Sequence, residues 1–241
     1  MAEPADLAAV RAEVAATARR VVAAGLIGAF GHVSSRLPDG EGPTGGIAIT
    51  STRPLARTTP DEVLVVDAEA TPVAGPVGDA PLERVMHLAI YAARPDVGAI
   101  CRGHPAAAVA WGAGTRDLPL LHGLGAMAGR RVAVHHDIDL ITTVESGRAV
   151  AATLGDDHAV LLRSNGGLAV GATLDEAATR LWYVEERAAV ALAAPDAGKS
   201  PAPAADWEPR WHHVPAELRR AVAWFRATHD VPLGPAADAG T

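Results

Sequence analysis

Short apolar segments alternate with amphipathic segments along this chain, and that alternation constrains its fold most. Runs of about four to eight apolar residues bounded by Gly, Pro or Asp predict strands. The predicted strands are residues 32–37, 46–50, 62–67, 97–104, 131–136, 158–165 and 167–171. The predicted helices are residues 6–23, 81–94, 145–155, 173–193 and 215–229. This order of elements predicts a layered α/β or α+β domain.

Two of the predicted helices carry end signals. Pro81 suits a first helical turn, and Pro95 stops the same helix. Thr173 and Glu176 have the spacing of a capping box, which makes residues 173–193 the clearest helix in the chain.

The composition excludes several classes of partner. The chain has 241 residues, 49% of them hydrophobic, which is enough for one sizeable core. Its net charge of −7 disfavours nucleic acid and anionic membranes as partners. No apolar run approaches the roughly 18 residues of a membrane span, and residues 1–20 lack the order of a signal peptide. Because Cys101 is the single cysteine, we expect a reducing compartment, the cytoplasm.

A Pro/Ala-rich stretch divides the predicted organisation. We expect one domain at residues 1–194, followed at residues 195–241 by a linker, a short C-terminal helix and a flexible tail. The only lysine, Lys199, lies in that linker, whereas a Schiff-base lysine must be desolvated in a pocket. The chain also lacks a P-loop motif and a GxGxxG motif. Lysine-imine chemistry, P-loop phosphoryl transfer and Rossmann-type hydride transfer are therefore disfavoured.

An arginine and a histidine end the most buried predicted strand. In "AICRGHPAAA", residues 99–108, alternation points Arg102 and His104 to the same side. An arginine that follows an apolar strand must pair with an acid or face a cavity. Two histidines at this spacing would indicate a metal site, but arginine has no lone pair to donate to a metal.

Other polar residues lie at strand ends or on helix faces. His32, Ser34 and Arg36 share one face of the first predicted strand, and Glu83 and His87 share one helix face. His135, His136 and Asp137 end another strand, and Asn165 precedes two glycines. Each of these residues also has an ordinary structural interpretation, such as a surface contact or a satisfied core histidine.

Three segments together resemble the class II aldolase/adducin family over about residues 7–193. They are "GAFGHVSSRLPDG", "LERVMHLAIYAARPDVGAICRGHP" and "LLRSNGGLAVGATLDEAATRLWYVEERA". The resemblance implies a three-layer α/β/α domain with a mainly antiparallel central sheet. It also implies a homotetramer with sites at subunit interfaces. The form "GHVSSR" is more similar to the decarboxylase- and oxygenase-like branch, because sugar-phosphate aldolases usually have Asn where His32 stands.

The resemblance also implies a catalytic site. Family members hold a divalent metal with a His-x-His pair and a later His-Gly, beside a catalytic glutamate. The glutamate matches Glu83 and the second histidine matches His104, whereas the other two histidines fall on Arg102 and Asn165. Because arginine cannot ligate and an amide oxygen is a poor zinc ligand, we expect no metal cofactor. The alternative is a zinc or iron site rebuilt from His104, Glu83, His32 and His136.

The phosphate-binding residues of sugar-phosphate aldolases are also changed. Pro81 and Leu82 stand where that branch commonly has two serines before the glutamate. Residues 50–58 keep hydroxyl groups and add Arg53, but they lack the glycine of the family's phosphate-binding turn. The resemblance therefore disfavours a phosphorylated sugar.

The sequence supports three functional hypotheses. The first is a metal-independent lyase that acts through an enolate on a non-phosphorylated oxo-acid or β-dicarbonyl compound. The second is a metal-dependent aldolase, decarboxylase or oxygenase with rearranged ligands. The third is a non-catalytic, adducin-like binding or assembly module. For the first hypothesis, the catalytic candidates are Glu83, His104 and Arg102, and the substrate-binding candidates are Asn165, His32, Ser34, Arg53 and His87.

Overall fold

One sheet of eight strands organises the residues that the structure, a computed structural model, describes: 5–38, 42–43, 45–193 and 202–232. The strands are β1 (His32–Arg36), β2 (Ile47–Thr50), β3 (Val63–Val66), β4 (Pro72–Ala74), β5 (Ala99–Gly103), β6 (Val132–His135), β7 (Ala159–Leu162) and β8 (Gly167–Gly171). Their order is β4-β3-β2-β1-β5-β8-β7-β6. The β6–β7 pair is parallel, and the other neighbouring pairs are antiparallel. The predicted α/β class with a mainly antiparallel sheet is confirmed.

Helices cover both faces of the sheet. They are α1 (Ala5–Ala23), α2 (Arg84–Ala93), α3 (Ala106–Gly112), α4 (Val144–Leu154), α5 (Leu174–Ala193), α6 (Glu208–Trp211) and α7 (Val214–His229). One buried cluster joins α1, α5 and α7 to one face, and a second joins α2 and α4 to the other. Successive strand residues point to opposite faces, so Cys101 enters the first cluster and Ile100 the second.

Two helix starts differ in detail from the sequence expectation. The second helix begins at Arg84 instead of residue 81, because the Arg84 backbone and side chain both donate to Pro81 O and form a separate turn. At the start of α5, Glu176 N donates to Thr173 Oγ1 at 3.2 Å. The Glu176 carboxylate accepts from Ala172 N, not from Thr173 N. The cap is therefore present, but the backbone N–H that donates to the Glu176 carboxylate is that of Ala172, one residue before the capping threonine.

The C-terminal helix packs against the rest of the chain. Phe225 of α7 is fully buried, and its ring lies 6.2 Å from the ring of Trp182 on α5. Most of the predicted linker, including Lys199, and most of the predicted tail lie at residues 194–201 and 233–241, outside the described residues. The division of the chain at residue 194 therefore stays a prediction. Among the described helices, none has the length and apolar character that crossing a bilayer requires.

Candidate active site

The polar residues of the predicted site meet where β1 and β5 pair, under the first turns of α2. His32 and Arg102 are directly opposite each other in the antiparallel β1–β5 pair. Opposite residues in such a pair point to the same face, and Ser34 follows on that face two positions along β1. Glu83 at the start of α2 and His87 one turn later face this group. The fold therefore brings residues from two strands and one helix into a single cluster.

Arg102 and Glu83 form a buried ion pair at the centre of the cluster. Arg102 Nε lies 3.2 Å from Glu83 Oε2, and the side chains are 1% and 10% exposed. Burial lowers the pKa of Arg102, and the neighbouring Glu83 opposes that shift. The second carboxylate oxygen, Glu83 Oε1, is buried and has no hydrogen-bond partner among the described residues. One carboxylate oxygen is thus paired and the other is available.

His104 extends the cluster towards the surface. Arg102 Nη1 contacts both ring nitrogens of His104, with 2.9 Å to Nδ1. The ring also approaches Asn165 Oδ1 at 3.0 Å from Nε2 and Phe30 O at 3.1 Å from Nδ1. Burial and then the Arg102 charge lower the pKa of His104. Because a guanidinium only donates, His104 is a neutral acceptor for Arg102.

A glycine allows the Asn165 turn to approach β5. Gly166 has a φ of +73°, and a Cβ at this position would overlap Gly103 O. Glycine adopts such a φ without strain and needs no room for a side chain. The β7–β8 turn therefore brings Asn165 within hydrogen-bonding distance of His104.

A chain of hydrogen bonds joins β1 to α2 behind the ion pair. Ser34 Oγ lies 2.7 Å from His87 Nδ1 and 2.9 Å from the Tyr91 hydroxyl. Burial and then the Arg102 charge lower the pKa of His87 to about 3, and burial raises the pKa of Tyr91. His87 Nε2 is buried without a partner among the described residues. His87 is therefore a neutral imidazole held at one nitrogen.

The His32 ring lies against this imidazole. The His32 and His87 ring centroids are 5.6 Å apart, with the rings at 66°. Burial lowers the pKa of His32 well below its usual value, and His87, Arg102 and His104 lower it further. The histidines around the Arg102–Glu83 ion pair are therefore neutral.

Some predicted residues lie outside the cluster. Arg53 pairs with Asp79 at 2.7 Å and with Glu62 at 3.4 Å, and its side chain is 47% exposed. His136 follows β6, which is three strand positions from β5, or about 14 Å at ordinary strand spacing. Arg36 shares the face of His32 but donates to backbone carbonyls, among them Val97 O at 3.1 Å.

Two residues of the site were not predicted from the sequence. Tyr91 bonds Ser34, and the Phe30 carbonyl contacts His104. Tyr91 had a detectable signal, because Glu83, His87 and Tyr91 recur at intervals of four residues on one helix face. Phe30 had none, since only its backbone takes part.

The residues present do not fit the metal that the sequence resemblance implies. Arg102 occupies a ligand position with a group that has no lone pair, and it donates to the one histidine retained. Among the described residues, no three His, Cys, Asp or Glu side chains are arranged to hold a metal ion. Of the alternative ligand set, His136 lies beyond β6, away from Glu83 and His104 near β5, whereas His32 lies in the same cluster as these two residues. A metal site rebuilt from His104, Glu83 and His32 therefore stays an alternative prediction.

A sizeable cavity lies elsewhere, between α5 and α7. It has a volume of about 860 Å³, and its lining includes His158, Asp175, Arg180 and Leu218. Asp175 is already paired with Arg20 at 3.2 Å. We assign the candidate site to the Arg102 cluster because buried charges and unpaired polar atoms converge there.

Comparison with known proteins identifies the family. A family model described as the class II aldolase and adducin N-terminal domain matches residues 12–192. The chain belongs to the class II aldolase and adducin family. An aldolase II superfamily protein from Pseudomonas syringae has the same fold, with a TM-score of 0.77 at 24% identity over 94% of this chain and 96% of its own. The three-layer fold that the sequence resemblance implied is thus confirmed.

Similar proteins of known activity include both an aldolase and a decarboxylase. A 5-methylthioribulose-1-phosphate/5-deoxyribulose-1-phosphate aldolase from Escherichia coli is 28% identical over 72% of this chain and 78% of its own length. A 3,4-dihydroxyphthalate decarboxylase from Rhodococcus jostii is 28% identical over 84% of this chain and 88% of its own length. The family assignment therefore supports lyase chemistry on small molecules.

Proposed function

We propose that this protein is a lyase that acts through an enolate on a non-phosphorylated oxo-acid or β-dicarbonyl substrate, without the metal of its family. The observation that carries the proposal is the buried Arg102–Glu83 pair at 3.2 Å. A buried guanidinium is a fixed positive charge that can bind a carboxylate or enolate oxygen through two N–H groups. Arg102 thus stands where the resemblance expects a metal ligand and supplies part of the charge that the ion would supply.

The remaining residues have complementary roles in the proposed reaction. When a bond to the α-carbon breaks, its electron pair moves to the carbonyl oxygen, and Arg102 stabilises the enolate that forms. Glu83 Oε1 is available to take a proton from the substrate or to return one to carbon. His104 accepts from Arg102 and so orients it, and Asn165 holds His104. These groups act as a unit, with one cation and one acid–base residue.

The charges around the site support the proposed substrate class. Pro81 and Leu82, which precede Glu83, bring no hydroxyl group for a phosphate. Arg53 is engaged by Asp79 and Glu62, so its charge is already balanced. The decarboxylase from Rhodococcus acts, by its name, on a substrate without phosphate. These observations favour an acid with one group bound by Arg102.

We further propose that the site is completed in a homo-oligomer, a tetramer in the manner of family aldolases. Phe30 and Leu82 flank the site residues in the chain and are 76% and 63% exposed. Large apolar side chains this exposed are typical of surfaces that another chain covers. The oligomeric mass, measured by light scattering, tests this part of the proposal.

The decisive experiment measures metal content and turnover on the same preparation. Untagged protein is analysed by plasma mass spectrometry before and after dialysis against a chelator, and an oxo-acid panel is then assayed without added metal. We expect zinc, iron and manganese far below one per chain and turnover that survives the chelator. Turnover that disappears with the chelator and returns with one of these metals would instead support a metal-dependent lyase.

A matched pair of variants separates a catalyst from a binding module. Glu83→Gln should reduce turnover by roughly a thousandfold, because it removes the acid–base group with little change of shape. Glu69→Gln, on the exposed surface, should keep the activity of the unmodified protein. A protein that turns over no member of the panel, with or without metal, would support the adducin-like module.

A further inference from the structure

Three buried polar atoms beside Arg102 lack a hydrogen-bond partner among the described residues. They are Glu83 Oε1, His87 Nε2 and His32 Nδ1. Native proteins seldom leave such atoms unpaired, and the exceptions often mark functional sites. Glu83 and His87 are one turn apart on the same face of α2, the face that meets Arg102. An acceptor and a ring nitrogen next to a buried cation indicate a place for a polar group of a ligand.

The hydrogen bonds behind His87 determine which ring nitrogen carries the hydrogen. Tyr91 keeps its hydroxyl hydrogen because burial raises its pKa, and Ser34 Oγ is the hydrogen-bond partner that the structure gives for this hydroxyl. If Tyr91 donates to Ser34, then Ser34 is free to donate its own hydrogen to His87 Nδ1. The opposite direction would leave the Tyr91 hydrogen without an acceptor. The order Tyr91 to Ser34 to His87 therefore gives both hydroxyl hydrogens an acceptor and leaves His87 Nε2 as the unpaired atom.

This order makes His87 Nε2 a hydrogen-bond donor. The ring is neutral because burial and the Arg102 charge lower the pKa of His87 to about 3. A neutral imidazole has one N–H, and Nδ1 is occupied as an acceptor, so the hydrogen lies on Nε2. The site thus presents a donor at His87 Nε2 and a carboxylate acceptor at Glu83 Oε1.

We infer that Glu83 and His87 together bind a hydroxyl or enol group of the substrate. The substrate oxygen accepts from His87 Nε2–H, and its hydrogen is donated to Glu83 Oε1. This inference rests on the proposed function and narrows the substrate class to hydroxylated oxo-acids, whose carboxylate or carbonyl group binds Arg102. Tyr91 and Ser34 are positioning residues, because they act only by fixing the tautomer of His87.

The arrangement also gives a balanced step for cleavage of a β-hydroxy carbonyl compound. The hydroxyl proton moves to Glu83 Oε1, and the O–H electron pair forms the new carbonyl double bond. The C–C bond breaks, and its electron pair becomes the enolate that Arg102 stabilises. Glu83 then returns the proton to the enolate carbon. His87 stabilises the negative charge that develops on the hydroxyl oxygen.

The test compares ligands that differ by one hydroxyl group. Binding of benzoate and of the three hydroxybenzoates is followed by NMR titration of the full chain. We expect at least one hydroxybenzoate to bind about tenfold more tightly than benzoate, because benzoate leaves the two polar atoms unpaired. If no hydroxybenzoate binds more tightly than benzoate, or none binds at all, the inference is wrong.

Two substitutions of His87 test whether its Nε2–H donates to the ligand or whether the ring only fills space. His87→Asn places its amide near the former Nδ1 and should abolish the preference for the hydroxyl group. His87→Gln reaches the position of Nε2 and should restore most of that preference. His213→Asn, at an exposed histidine, is the control. An unchanged preference in His87→Asn would contradict the inference.

Two further measurements keep this inference separable from the proposed function. The ¹⁵N shifts of His87 should show a neutral ring protonated at Nε2, and Ser34→Ala should mix the two tautomers. A ring protonated at Nδ1 in the unmodified protein would overturn the inference but would leave the proposed role of Arg102 untouched. Arg102→Met should weaken benzoate and hydroxybenzoates alike. If it does not, the proposed function fails while the hydroxyl preference of His87 stands.

Discussion

Arg102 and Arg187 are almost equally buried, but they have different partners. Arg187 is 2% exposed and donates to three backbone carbonyls, at 3.0 Å to Pro119, 2.9 Å to Gly129 and 2.6 Å to Leu118. Arg102 is 1% exposed, and its contacts are with side chains, those of Glu83 and His104. Burial lowers the pKa of both, in Arg187 to about 10.

The difference shows how partners reveal the role of a buried charge. Carbonyl groups that accept from Arg187 are fixed parts of the chain, so this arginine joins segments of the fold. The partners of Arg102 are an acid with one free oxygen and a neutral histidine, which are groups that can exchange protons or rotate. We therefore interpret Arg187 as structural and Arg102 as functional.

The largest expected effect comes from replacing the cation with metal ligands. The double variant Arg102→His/Asn165→His would supply two imidazoles next to His104, the chemistry that zinc prefers. We expect its zinc content to rise to near one per chain by plasma mass spectrometry, with the unmodified protein far below that value. A double variant that stays free of zinc would show that more than these two side chains excludes the metal.

Arg102→Met should remove turnover and leave most of the fold intact. Loss of a preorganised charge at a developing oxyanion costs roughly a hundredfold to a thousandfold in turnover. Pairing it with Glu83→Gln removes both buried charges, which limits the loss of stability. Turnover and the urea midpoint are measured together, with exposed Arg131→Met as the control. Full activity in Arg102→Met would indicate that Arg102, like Arg187, has only a structural role.

Arg187→Met should have the opposite profile. The buried carbonyl groups of Leu118 and Gly129 and the partly buried one of Pro119 would lose this donor, and we expect the free energy of unfolding to fall by about 3 kcal/mol. Activity per folded molecule should stay close to that of the unmodified protein. Urea denaturation combined with assays well below the midpoint gives both quantities. A large loss of turnover without a loss of stability would refute the structural role of Arg187.

The pH dependence of stability should reveal the buried neutral His87. The unfolded chain protonates this histidine below about pH 6.5, whereas the folded protein does so only near pH 3. The folded state is therefore increasingly disfavoured as the pH falls through this window. Between pH 7 and pH 5 this group should reduce the free energy of unfolding by about 2 kcal/mol. Denaturation of His87→Gln should show a smaller decrease, and an equal decrease would argue against a buried neutral ring.

The smallest expected effect is at the exposed Arg53. Its ion pairs with Asp79 and Glu62 lie in solvent, where such pairs contribute little. Arg53→Met should keep its melting temperature, and its KM should match that of the unmodified protein. A KM that rises severalfold would restore Arg53 to the substrate-binding residues predicted from the sequence.

Local patterns predicted elements whose signals lie close together in the chain. The helix predicted at residues 173–193 is observed as Leu174–Ala193, because its cap and its apolar spacing are encoded within the same segment. Helix α3 was not predicted. Its first turn is capped by Glu185, whose carboxylate accepts from Ala107 N and Ala108 N at 2.9 and 2.8 Å across 78 and 77 residues. A partner that distant leaves no local signal.

For the site, the identities of a few residues already limit the available chemistry. Arg102 and Asn165 in place of histidines, with Glu83 and His104 retained, exclude the expected ligand set whatever the fold, because a guanidinium cannot bind a metal. How these groups are arranged depends on contacts between distant segments of the chain. The β1–β5 register sets Arg102 opposite His32, and α2 brings Glu83 to it and His87 to Ser34. The directions and distances between strands and helices arise from packing between distant segments, so they cannot be inferred from any single short segment.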